Sequence, residues 1–245
     1  MLFRTVYGPE LPAIHALLVE RGAVGRPDLN NMFVQGLVSG TEVANFEEAL
    51  ALLIDTGLVR WTGAEPHYLA GTPIADFRLS LLASLQRFST NQDSSGHLLD
   101  PWFMGVLNEC FVRPNRVFLN RLHSAFNSLE LPVPCSEEKV NAWRRIMEYL
   151  GCGYRVLSGF MACYHPDLLM DICKRWGKHG PVEGLLQFAE GFIPVLTETG
   201  EMSKAVEWPL MELERRGHVS LSARGDYPGR SFMGPRRIKW ITVEG

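Results

Sequence analysis

The residues with the best claim to chemistry are Cys152, Cys163, His165 and Cys173, which lie close together in the chain. Soft thiolates and an imidazole are the ligand set of structural zinc. No pair of them has the two-residue gap such sites favour, and the five cysteines, at 110, 135, 152, 163 and 173, contain no C-x-x-C. An odd count without paired spacing predicts reduced, mostly buried thiols. His165-Pro166-Asp167 reads as a junction into a helix with Asp167 as its cap, rather than as an acid–base pair. The chain has no phosphate-cradling G-x-x-x-x-G-K-[ST], no G-x-G-x-x-G after a strand, no G-x-S-x-G and no H-E-x-x-H. The expectation is a protein that is not an enzyme and carries no metal or cofactor.

Charge is the second candidate chemistry. The whole chain has a net charge of −3 and lacks the basic excess of most nucleic-acid binders. The charge is unevenly spread. Arg215, Arg216, Arg224, Arg230, Arg236, Arg237 and Lys239 face a single acid, Asp226, between positions 215 and 240. Tyr227 and Phe232 accompany them, with Gly225, Pro228, Gly229 and Gly234 as backbone breakers. A basic loop with interleaved aromatics suits contact with a phosphate backbone or a minor groove. A second, mixed set holds Arg113, Arg116, Asn120, Arg121, Lys139, Arg144 and Arg145 beside Glu137, Glu138 and Glu148. The early region is acidic, with Glu42, Glu47 and Glu48 and no Lys or Arg between Arg26 and Arg60. Carboxylates repel phosphates, so that region reads as a protein contact.

Three copies of one pattern must position these residues. They are Ala49–Trp61, Trp143–Val156 and Pro209–Leu221, each a helix-compatible run ending in glycine and followed by a β-rich strand. Glycine past a helix end supplies the left-handed cap. Apolar residues at i+3 and i+4 steps place further helices before each copy. In the first they include Leu11, Ile14 and Leu18, then a short helix capped by Asp28, then one capped by Thr41. Thr72-Pro73 opens a bridging helix through Phe88. In the second, Asp100-Pro101 opens one helix, Val117 to Leu129 reads as another, and Ser136 caps a third. In the third, Asp167–Trp176 is a helix, Gly177–Gly180 a turn, and 181–196 an apolar stretch broken by Gly184, Gly191 and Pro194. Pro209 suggests that the last of its helices starts at Trp208. The predicted fold is mainly α with short β-hairpins, in units at 1–88, 97–166 and 167–245. The polar run 89–96 reads as the exposed linker. No apolar run approaches membrane-span length and the N-terminus lacks a leader pattern, so the expected location is cytoplasmic, away from membranes.

The element order and the helix–Gly–strand step resemble the winged-helix superfamily. The likeness is greatest at Ala49–Trp61, where A-L-x-L-L-x-x-x-G-L-V-x-W is similar to the third helix and first wing strand of its transcription regulators. The resemblance implies three tandem winged-helix domains. In such regulators the third helix enters the major groove and the wing touches backbone. Carried to this chain, it implies duplex-DNA contact through the third unit, as a regulator or as a DNA-docking subunit of a larger assembly. The candidate contacts are Arg215, Arg216, Arg224, Arg230, Arg236, Arg237 and Lys239, with Arg116, Arg144 and Arg145 from the second unit. The first unit would hold a protein partner or a second copy. The other reading is an adaptor subunit whose three units contact proteins alone.

Overall fold

The computed structural model describes residues 3–4, 6–34, 40–62, 67–70, 77–90, 99–177, 179–223 and 226–244. The chain is mainly α-helical with small antiparallel sheets. Of the expected linker at 89–96, Ser89 and Thr90 belong to the helix before it, and 91–96 lie outside the described residues, as do the turn at 63–66, Thr72-Pro73 and Arg224.

The same order of elements occurs three times. First come α1 (Glu10–Arg21), β1 (Val24–Gly25), α2 (Arg26–Val34), α3 (Gly40–Asp55), β2 (Val59–Thr62) and β3 (His67–Ala70). Helix α4 (Phe77–Thr90) follows. The second set is α5 (Trp102–Leu107), β4 (Phe118–Leu119), α6 (Leu122–Asn127), α7 (Glu137–Tyr149), β5 (Tyr154–Val156) and β6 (Gly159–Met161). The third is α8 (Pro166–Trp176), β7 (His179–Pro181), α9 (Val182–Ala189), α10 (Lys204–Arg215), β8 (Val219–Ser222), β9 (Arg230–Phe232), β10 (Arg236–Ile238) and β11 (Trp240–Val243). In each set the last strand lies centrally, between the short strand after the first helix and the strand after the third: β1-β3-β2, β4-β6-β5 and β7-β11-β8.

One device ends the third helix of every set. Gly57, Gly151 and Gly217 all sit at positive φ, between +74° and +81°. At the second, the Cys152 N–H reaches the Met147 carbonyl (2.8 Å) and the Gly151 N–H reaches Glu148 (3.0 Å). At the third, His218 bonds to Leu213 (2.9 Å) and Gly217 to Glu214 (3.0 Å). These are the paired bonds of a Schellman cap, which satisfy carbonyls the helix leaves open. The chain then reverses into the hairpin.

The structure corrects several boundaries. The segment from Val117 to Leu129 is not one helix: β4 pairs with β6, and α6 begins only at Leu122. Instead of a plain turn at Gly177–Gly180, His179–Pro181 pairs with β11. His165, not Asp167, occupies the N-cap position of α8, with Pro166 in its first turn. Helix α2 starts at Arg26, ahead of Asp28. The long loop of the third set contains its own hairpin, with Phe232 opposite Arg236.

Helix α10 starts at Lys204, so Pro209 lies inside it. Proline has no N–H for the carbonyl four residues back, that of Ala205. The N–H of Tyr164 fills the gap at 3.0 Å, from the segment just after β6. The Tyr164 ring is buried and its hydroxyl donates to the Pro194 carbonyl. Asn115, at φ +53°, adds a second link: its Oδ1 accepts from the Lys204 N–H at 2.8 Å. Buried apolar residues form one continuous cluster across all three sets. Phe3 meets Phe103 edge-on at 5.0 Å, and Trp143 Nε1 donates to the Phe103 carbonyl at 2.7 Å. Among the described residues no helix is long and apolar enough to cross a membrane.

The caps can be tested by alanine. A Cβ at Gly217 meets no atom within 4 Å, so Gly217→Ala carries only left-handed strain. It should cost about 1–2 kcal/mol in urea unfolding. At Gly153 a Cβ would sit 2.3 Å from the Met161 carbonyl oxygen. Gly153→Ala should therefore cost more than Gly217→Ala, because the hairpin must shift to admit it.

Candidate functional site

The basic loop and hairpins of the third set are basic along the chain but not in space. Arg236 forms a two-pronged pair with Glu214 of α10, both contacts at 2.6 Å, and lies over the Phe232 ring. Arg230 pairs with Glu183 of α9 and also donates to the Gly200 carbonyl. Arg215 and Arg216 both hold Glu212, at 2.6 and 2.7 Å. That pairing pulls the Glu212 carboxyl down to about 2. Lys239 is also engaged, and its stem lies beside Gly229. Arg237 is exposed and has no ion pair among the described residues. Thus most of the cations that the sequence collects are answered by acids from α9 and α10.

The first set follows the same rule. Arg4 holds Glu48 and Asp55 (3.0 and 2.9 Å), and Arg26 holds Glu47. The acidic face of α3 is partly neutralised by these two arginines.

The second set differs. Arg116 is exposed, and Arg145 stacks its guanidinium 4.8 Å from the Tyr7 ring centroid. Arg144 is only 8 % exposed and makes no hydrogen bond to a carboxylate. Its two terminal nitrogens donate to the Asn141 side chain (3.0 Å) and the Leu157 carbonyl (2.6 Å), while its Nε is buried without a partner. Burial first, then nearby Arg155, push its pKa down, against an opposing pull from Glu148. Arg144 lines a groove of about 300 Å³ between α6, α7 and the β5–β6 hairpin. Residues that the sequence assembles as one cationic face therefore have three environments: solvent, an aromatic ring and a buried groove wall.

Large apolar side chains stand in solvent on each set. Trp61 on β2 is 58 % exposed and Trp208 on α10 is 59 % exposed. Tyr227 and Met233 of the long loop and hairpin after β8 are also exposed. Leu157 is 93 % exposed and sits at φ +53° in the two-residue turn between Val156 and Gly159. None of these exposures is legible from periodicity. Leu157 reads as the end of a strand before a Ser-Gly turn, and Trp208 reads as the start of a helix.

The cysteines are free. Burial pushes the thiols of Cys152 and Cys173 up to about 12 and that of Cys110 to about 11. His165 stacks on Tyr154 at 4.5 Å, and burial lowers its pKa. No group of three metal-binding side chains occurs among the described residues. No protein-family model, curated protein or solved structure matches the chain.

Two outcomes follow. Arg236 holds the Glu214 carboxyl below its usual range. A depressed folded pKa contributes stability above the unfolded value, near 4.3, that is lost as pH falls through the folded pKa. Glu214→Gln should cost about 0.5–1 kcal/mol at pH 7, and the difference from wild type should shrink as pH falls below about 4.3. In alkylation of the native protein at pH 7.5, the half-buried Cys163 should react first, with Cys152 and Cys173 reacting only on unfolding.

Proposed function

We propose that the chain is a non-enzymatic adaptor of three winged-helix units that recognises proteins. The strand order around each glycine-capped third helix supports the winged-helix assignment. The observation that carries the adaptor reading is the internal neutralisation of the wing: Arg230 pairs with Glu183 and Arg236 with Glu214. A guanidinium already held by a carboxylate must break that pair before it can take a phosphate. Meanwhile α10, the helix that a DNA-reading unit would lay in the major groove, exposes Trp208. Exposed aromatics and methionine beside self-paired charges are typical of the central parts of protein interfaces. Trp61 gives the first unit a similar exposed anchor, suited to a partner or a second copy.

The duplex-DNA reading keeps Arg237 and Arg116 as exposed cations without an ion pair among the described residues. Fluorescence anisotropy of a labelled random duplex separates the readings. The adaptor predicts no saturable binding at either about 50 or about 200 mM salt. Binding that falls steeply between them would establish the DNA reading. In that case Arg236→Glu with Arg237→Glu should lower the log–log salt slope by about 2.

A further inference from the structure

A buried cation normally has an anion beside it, because desolvating an unpaired charge is costly. Arg144 has no carboxylate in contact with it: Glu148, one turn on, acts on it electrostatically, but its two oxygens are taken by the Arg155 N–H and side chain. Two neutral acceptors take one proton each from its terminal nitrogens, and its buried Nε has no partner. The groove wall around it is polar and carries little negative charge. Asn120, Arg121 and Ser158 share it, with His123 already bonded to the Cys135 carbonyl. Glu137 is at the same groove, exposed to solvent and without an ion pair to Arg144. The volume is enough for one or two side chains of an incoming segment.

Leu157 stands directly beside this groove, because its own carbonyl accepts from Arg144. A leucine at positive φ is strained, and one 93 % exposed gains nothing from the fold in return. The strain and the exposure make sense together if a partner covers the side chain.

We propose that the groove between α6, α7 and the β5–β6 turn docks an acidic–apolar segment of a protein partner. One carboxylate of that segment completes Arg144, and an adjacent apolar side chain packs on Leu157. The guanidinium fork matches a planar carboxylate. The apolar knob at the lip favours a peptide over a phosphodiester backbone, which has no aliphatic side chain to cover it. This assignment rests on the adaptor reading and names the partner chemistry for its second unit.

The test uses the full chain and a fluorescein-labelled peptide of alternating Glu and Leu. Matched peptides of Gln/Leu and Glu/Ser remove the charge and the apolar group in turn, and a random duplex serves as competitor. The Glu/Leu peptide should bind saturably, and each control should bind at least ~10-fold more weakly, a difference of about 1.4 kcal/mol. Leu157→Gly should weaken binding by about the same factor. It also relieves the strained turn, so the fold should hold. Arg144→Gln should abolish the preference for Glu over Gln. If that variant does not fold, Arg121→Glu, at an exposed position of the groove, should weaken the Glu/Leu peptide instead. No saturable peptide binding, equal binding of the Gln/Leu peptide, or wild-type affinity in Leu157→Gly overturns the groove assignment and leaves the adaptor reading standing. A duplex that binds and displaces the peptide overturns both.

Discussion

The left-handed glycine at the end of each third helix is the constraint on which the rest of the structure depends. Gly57, Gly151 and Gly217 stop α3, α7 and α10 and turn the chain into the strand that lies beside its own helix. Without that reversal the returning strand could not reach the centre of its sheet, between two short neighbours. The hairpins would also lose their position beside the helix, and with it the environment of the side chains they carry. Arg144 is buried because the β5–β6 turn, set by Gly151, folds back over α7. Arg236 reaches Glu214 because the hairpin of β9 and β10, beyond the turn set by Gly217, returns along α10.

A second constraint joins the sets. Pro209 frees a carbonyl inside α10, and Tyr164, at the end of the second set, fills it. A buried unpaired carbonyl costs as much as a lost hydrogen bond, so the proline makes α10 depend on its neighbour. Asn115 does the same at the start of that helix. The sets are thus fastened to one another by backbone groups that a separate unit would leave open, as well as by the shared apolar cluster.

The glycine steps, the main helices and the hairpins were legible because each has a local cause: a cap, an apolar period, a turn. The short strands β1, β4 and β7 were not, since two or three residues carry no period. The start of α10 was misread because the penalty for an internal proline is local while its remedy, Tyr164, is distant. The candidate site was legible only as residue types. Seven cations between positions 215 and 240 look like a binding surface in one dimension. Glu183, which neutralises Arg230, lies 47 positions away, and Glu214 lies 22 from Arg236. Conversely, Arg144 looked like one cation among several, and only the fold leaves it buried with no carboxylate bonded to it. Ion pairing between distant segments has no signature in spacing.

The central claim is that the exposed faces of the third helix and the wing meet protein. A photo-crosslinking benzoylphenylalanine in place of Trp208 tests it most directly, in cells that express the full chain. Both readings permit a crosslink from this position, and they differ in what is captured. The account predicts a discrete adduct that survives nuclease and is destroyed by protease acting on the captured species. An adduct removed by nuclease would contradict it.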